Sequence, residues 1–156
     1  MNTKNNFMLR AIELSINSAN KDGGPFGCVI TKENIIIAEG SNKVTLSNDP
    51  TAHAEVVAIR QACKKINTFN LSGCDLYTSC EPCPMCLSAI YWSHVDNIYY
   101  ANTRMDAKDI DFDDSFIYSE VRKEIDERKI KMIQINREEA LEAFKIWQKK
   151  EDKIRY

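Results

Sequence analysis

Two short stretches carry residue types able to do chemistry. Pro50-Thr51-Ala52-His53-Ala54-Glu55 sets a histidine two positions before a carboxylate, and Cys80-Glu81-Pro82-Cys83-Pro84-Met85-Cys86 spaces three thiols at intervals of three. Neutral imidazole and thiolate are the donors zinc takes up, and three protein ligands with a fourth position open to water make a catalytic site, whereas four make a structural one. His53, Cys83 and Cys86 form such a three-ligand set. Cys83 and Cys86 share the helix-opening segment behind Pro82, while Cys80 sits at a strand end beside the metal but off it. Two other arrangements stay open: Cys80 and Cys83 are themselves a C-x-x-C that could complete a closed zinc knuckle, and either pair could be a redox couple. In an open site the metal lowers the pKa of its water to about 7. Glu55, held off the metal, is then placed to move that water's protons.

The elements that must position these groups read as alternating helices and strands. Phe7, Ala11, Ile12, Ser15, Ile16 and Ala19 have helical spacing over 3–20, and Gly23-Gly24-Pro25 ends the segment. Residues 27–32 and 35–40 are expected as a hairpin turning at Glu33-Asn34. A helix is expected from Ala52 to Ile66, with its start signal at Asp49-Pro50-Thr51. Then come a strand over 75–79, a helix from Pro82–Pro84 to Trp92 and a short buried strand over 98–101. An Asp-rich loop over 102–115, a helix near 115–127, a strand near 130–135 and an amphipathic helix from Arg137 to about Lys150 complete the chain. Both metal motifs open helices, whose N-terminal dipoles favour thiolates at Cys83 and Cys86. Strands alternating with helices predict a sheet covered on both faces.

The chain has 156 residues, enough for one domain with a substantial core, and a formal charge of −2. Nucleic-acid binders usually carry a basic excess, so a polyanionic partner is not expected. No apolar run is long enough for a bilayer and the N-terminus lacks the pattern of a secretory signal, which predicts a cytoplasmic protein. In a reducing compartment clustered cysteines point to metal or catalysis rather than disulfides. Cys28, Cys63 and Cys74 lie singly in apolar segments and read as core packing.

The joint pattern H-x-E followed by P-C-x-x-C is that of zinc-dependent nucleobase deaminases. The chain resembles the cytidine deaminase-like superfamily and, within it, the bacterial guanine deaminases. The resemblance runs nearly end to end, through 23–27, 47–55, 77–86, 89–92, Phe112-Asp113-Asp114-Ser115-Phe116-Ile117-Tyr118 and the terminal Tyr156. It implies a three-layer α/β/α sandwich around a central mixed five-stranded sheet. It also implies one zinc ion per subunit and hydrolysis of guanine to xanthine and ammonia by attack at C2. The whole of 1–156 would form a single deaminase domain, in a homodimer that exchanges the segment from about 137 to 156, so that Tyr156 closes the partner's site. By position it implies Asn42 hydrogen-bonding the purine and Phe26 stacking on it. Ala54 and Trp92 line the pocket, and Asp114 is a second carboxylate at the amino group. Each has a plainer reading: Asn42 as a turn residue, Phe26 and Trp92 as packing, Asp114 as one of four aspartates in a solvated loop. One departure stands out, because Asp111 precedes Phe112 where relatives often carry glycine.

Rival expectations are a deaminase of guanosine, cytosine or tRNA adenosine, and a zinc-stabilised binding module without catalysis. A tRNA enzyme should be more basic. A binding module should use Cys80 as a fourth ligand and have no need of Glu55.

Overall fold

The structure, a computed structural model, describes residues 3–156. It divides into two compact units that meet in sequence at Asp114 and Ser115.

The first unit is built on four strands, β1 (Gly27–Lys32), β2 (Ile35–Ser41), β3 (Cys74–Cys80) and β4 (Asn97–Asn102), in the order β2-β1-β3-β4. β1 pairs antiparallel with β2 and with β3, whereas β3 pairs parallel with β4. The hairpin turns at Glu33 and Asn34, both with positive φ (51° and 61°), the geometry of a two-residue type I′ turn. Alternation along the strands sorts their side chains between two layers. Val29 and Tyr77 pack with Phe7 and Ala11 of α1 (Thr3–Ala19). Cys28, Ile30 and Leu76 pack with Ala54, Ala58 and Ala62 of α3 (Ala54–Ile66) and Ile90 of α4 (Pro84–Trp92). The expected helix–sheet–helix layering is therefore present, with a mixed sheet.

Two glycines let the helices approach closely. A Cβ on Gly27 would lie 2.3 Å from the Ala11 carbonyl oxygen of α1, and one on Gly40 would lie 2.2 Å from the Ala54 oxygen of α3. Gly40 thus allows the first turn of α3 to rest on β2 and fixes the height of His53 and Glu55 above the sheet. Cys28 and Cys74 are fully buried and Cys63 packs at the core margin, as expected of apolar packing.

Several expectations need correction. The sheet has four strands rather than five, because residues 131–136 form no ladder. A strand needs a neighbour for its amides and carbonyls, and this run joins no ladder; Ile130, Ile133 and Ile135 stand 77–81% exposed. The segment over 98–101 is a strand but not a buried one, since β4 lies at the edge of the sheet. The helix expected from Ala52 begins at Ala54, and Asp49 instead closes a turn by accepting from the Thr51 amide and hydroxyl. Two short helices went unforeseen, α2 (Val44–Ser47) and α5 (Arg104–Lys108), the latter fastened by a capping box between Thr103 and Asp106.

The second unit holds α6 (Ser115–Arg122), a 3₁₀ turn (Ile125–Glu127) and α7 (Arg137–Lys149). None of its residues is buried. The apolar face expected on α7 is there, but Phe144 and Ile146 point into solvent. No described helix is long and apolar enough to cross a membrane.

Candidate metal centre and active site

His53 and Cys83 occupy the positions just before the first helical residue of α3 and of α4. Ser, Thr, Asp and Asn are the residues that favour this position, because their side chains satisfy free amides of the first turn. Neither His53 nor Cys83 makes such a capping bond, so both keep their donor atoms for another use. Pro84 opens α4, where its missing N–H costs nothing, and one turn on, Cys86 points back toward the same place. β3 and β4 run parallel, and the site forms beyond the carboxyl end of β3, where open α/β sheets place their ligands.

His53 Nδ1 lies 3.5 Å from Cys83 Sγ and 3.4 Å from Cys86 Sγ, and the three donor atoms all fall within 4.8 Å of one another. A nitrogen and a sulfur bound to one tetrahedral zinc at about 2.1 and 2.3 Å would be about 3.6 Å apart. The donor set therefore fits zinc in spacing and in chemistry. Cys80 does not join it: its Sγ is directed to the Thr103 carbonyl, 3.6 Å away. That removes the closed four-ligand knuckle. The charges agree, since the Cys86 hydrogen bond to Cys83, with His53 beside it, pulls the Cys83 thiol down to about 4. Cys86 is held up by the same bond and by burial.

Glu55 is buried in the first turn of α3, with Oε2 3.3 Å from Cys86 Sγ and Oε1 accepting from the Thr78 hydroxyl at 3.1 Å. Burial raises its pKa, which keeps the carboxyl able both to take and to give a proton. Asp114 is half-buried, and its carboxyl is also raised, first by burial and then by the charge of Cys83, so the second carboxylate shares the metal centre's field. It follows Asp111, whose backbone is left-handed (φ 69°). Aspartate tolerates that conformation better than most residues. Next to it Phe112 packs edge-on against Phe26, with ring centroids 5.0 Å apart.

Asn42 is buried, its backbone amide donating to the Phe26 carbonyl and its Oδ1 accepting from the Val44 amide. The orientation leaves the Nδ2 end of the amide pointing away from this anchor. A Cβ on Gly24 would come within 3.1 Å of the Asn42 side chain, so the Gly-Gly-Pro loop and the amide are fitted to each other. Ala54 is fully buried at the start of α3 and Trp92 ends α4, 65% exposed. Tyr156 closes the second unit and is exposed. Sequence reasoning missed Thr78, which nothing in its spacing marks; only the strand register turns its hydroxyl to the Glu55 side of the sheet.

The model of the cytidine and deoxycytidylate deaminase zinc-binding region matches residues 1–102. A guanine deaminase of Bacillus subtilis is 52% identical over 151 residues, which cover 96% of this chain and 97% of that protein. The crystal structure of guanine deaminase from Bacillus subtilis superposes with a TM-score of 0.95 at 51% identity, covering 100% of this chain and 99% of that one. A guanine deaminase from Nitrosomonas europaea superposes with a TM-score of 0.67 at 35% identity over 69% of this chain and 63% of that one. A tRNA-specific adenosine deaminase of Aquifex aeolicus is 39% identical over 98 residues, 63% of this chain and 65% of the relative. With its three-donor zinc site and the adjoining buried glutamate, the chain belongs to the cytidine and deoxycytidylate deaminase zinc-binding family, in the branch that includes the bacterial guanine deaminases.

Proposed function

We propose that this protein hydrolyses guanine to xanthine and ammonia in purine breakdown and salvage. One observation carries the choice of substrate: the likeness to a guanine deaminase spans 96% of the chain, whereas the likeness to a tRNA adenosine deaminase spans 63%. The formal charge of −2 also disfavours a tRNA substrate.

His53, Cys83 and Cys86 would hold one zinc ion per chain. When bound, zinc supplies a water molecule acidic enough to attack at neutral pH. Glu55 takes the proton of that water and passes it to a ring nitrogen as the new C–O bond forms at C2. It then helps deliver a proton to the exocyclic nitrogen, so that the C–N bond breaks with ammonia, not amide anion, as the leaving group. Asp114, with its raised pKa, receives the amino group and shares in that proton delivery. The Asn42 amide pairs with the purine edge and the Phe26 ring stacks on its face. Ala54 and Trp92 bound the pocket.

The working unit is a single deaminase domain in a homodimer, with the segment from about 137 to 156 exchanged so that Tyr156 closes the partner's site. This reading is supported by a second unit that buries none of its residues while carrying Phe144, Ile146 and Trp147 on its last helix. Six free cysteines fit a cytoplasmic location.

The test is ammonia release from guanine, guanosine, adenine, cytosine and cytidine, with zinc measured in the same sample. Release from guanine alone at one zinc per chain is expected. Preference for another base or nucleoside would replace the substrate. Zinc without ammonia from any of the five would make the chain a binding module.

A further inference from the structure

We infer that Thr78 is a positioning residue for the proton-transfer step, holding the Glu55 carboxylate through its hydroxyl. The inference rests on the role of Glu55 given above. Thr78 lies on β3, between β1 and β4, paired with Cys28 on one side and Tyr100 on the other. Its backbone is thus fixed from both sides, and its β-branched side chain has few rotamers to choose from. It is 1% exposed, Glu55 is 6% exposed, and the hydroxyl donates to Oε1 at 3.1 Å.

Among the described residues, the donors around this carboxylate are the Glu55 amide, the Cys86 thiol and the Thr78 hydroxyl. A zinc-bound Cys86 is a thiolate and has no proton to give. In the metal-loaded protein the Thr78 hydroxyl therefore remains as the side-chain donor. It ties down Oε1 and leaves Oε2, on the Cys86 side, to face the reacting water. A carboxylate freed from this tether could rotate, and small misplacements at a reacting centre are costly. Thr78 is 1% exposed and acts only through Glu55, so binding should be spared.

The experiment compares Thr78→Val, Thr78→Ala and Thr78→Ser in the full-length, zinc-loaded protein. Valine keeps the shape and removes the hydroxyl, alanine guards against a misfit of valine, and serine keeps the hydroxyl. Thr31→Val serves as the control, because Thr31 is equally buried on β1 but its hydroxyl faces the Asp75 carbonyl. The expected result is a fall in kcat of about tenfold or more in the valine and alanine variants, with KM for guanine changed by less than about twofold. Zinc content should match wild type, serine should recover most of the rate, and Thr31→Val should leave the kinetics alone. A wild-type kcat in Thr78→Val and Thr78→Ala, or a serine variant as slow as they are, would overturn the inference. Glu55→Gln is assayed alongside: if it is inactive while Thr78→Val is normal, only the tether is lost, whereas an active Glu55→Gln removes the parent reading.

Discussion

Glu55 and Asp114 are both carboxyls with raised pKa values, yet they differ in what they can do. Glu55 is buried against Cys86 and held by Thr78, whereas Asp114 is half-buried on a loop and meets the metal centre through its field. Glu55→Gln keeps the shape and removes the proton carrier. It should retain zinc, measured by metal analysis, and lose about 10²-fold or more in kcat. Asp114→Ala should also retain zinc and slow guanine turnover sharply; a wild-type rate there would return Asp114 to the solvated loop. The zinc donors and Glu55 were legible because few other tasks call for that combination at that spacing. Cys80 was ambiguous because C-x-x-C occurs twice, and only the strand end shows which sulfur turns to the Thr103 carbonyl.

At the scale of elements, the site depends on two helix starts brought over one sheet end. Gly40 sets how low α3 can sit, so Gly40→Ala should push the helix off β2 and carry His53 and Glu55 with it. The expected cost is about 1–3 kcal/mol, typical of an overpacked core, with weaker zinc retention. A lower melting temperature together with easier loss of zinc to a chelator would show both effects. A Gly40→Ala protein that melts and holds zinc like wild type would mean that the helix can yield. The hairpin and the long helices were readable because local pattern determines them. α5 was not, because its five residues carry no periodicity and the Thr103-x-x-Asp106 spacing of its capping box is not followed by an apolar run. The strand expected near 130–135 failed for another reason: its composition suits a strand, but a ladder needs a second edge that sequence cannot provide.

At the scale of the whole molecule, the second unit is defined by what it leaves uncovered. Removing Ile154, Arg155 and Tyr156 should lower kcat/KM for guanine while zinc stays bound, and should narrow the preference for guanine over guanosine. An unchanged ratio would separate Tyr156 from the pocket. The proposed dimer, sought by light scattering, should survive this short deletion because α7 is intact. The exposed run Ile130-Lys131-Met132-Ile133-Gln134-Ile135 also carries a risk of its own. Short apolar, β-prone stretches without proline can stack into cross-β fibrils, and charged residues placed in or beside them act as gatekeepers. Lys129 and Lys131 stand in that role. Replacing both with threonine should leave the mature enzyme's turnover intact yet quicken thioflavin-positive deposition at low chain concentration.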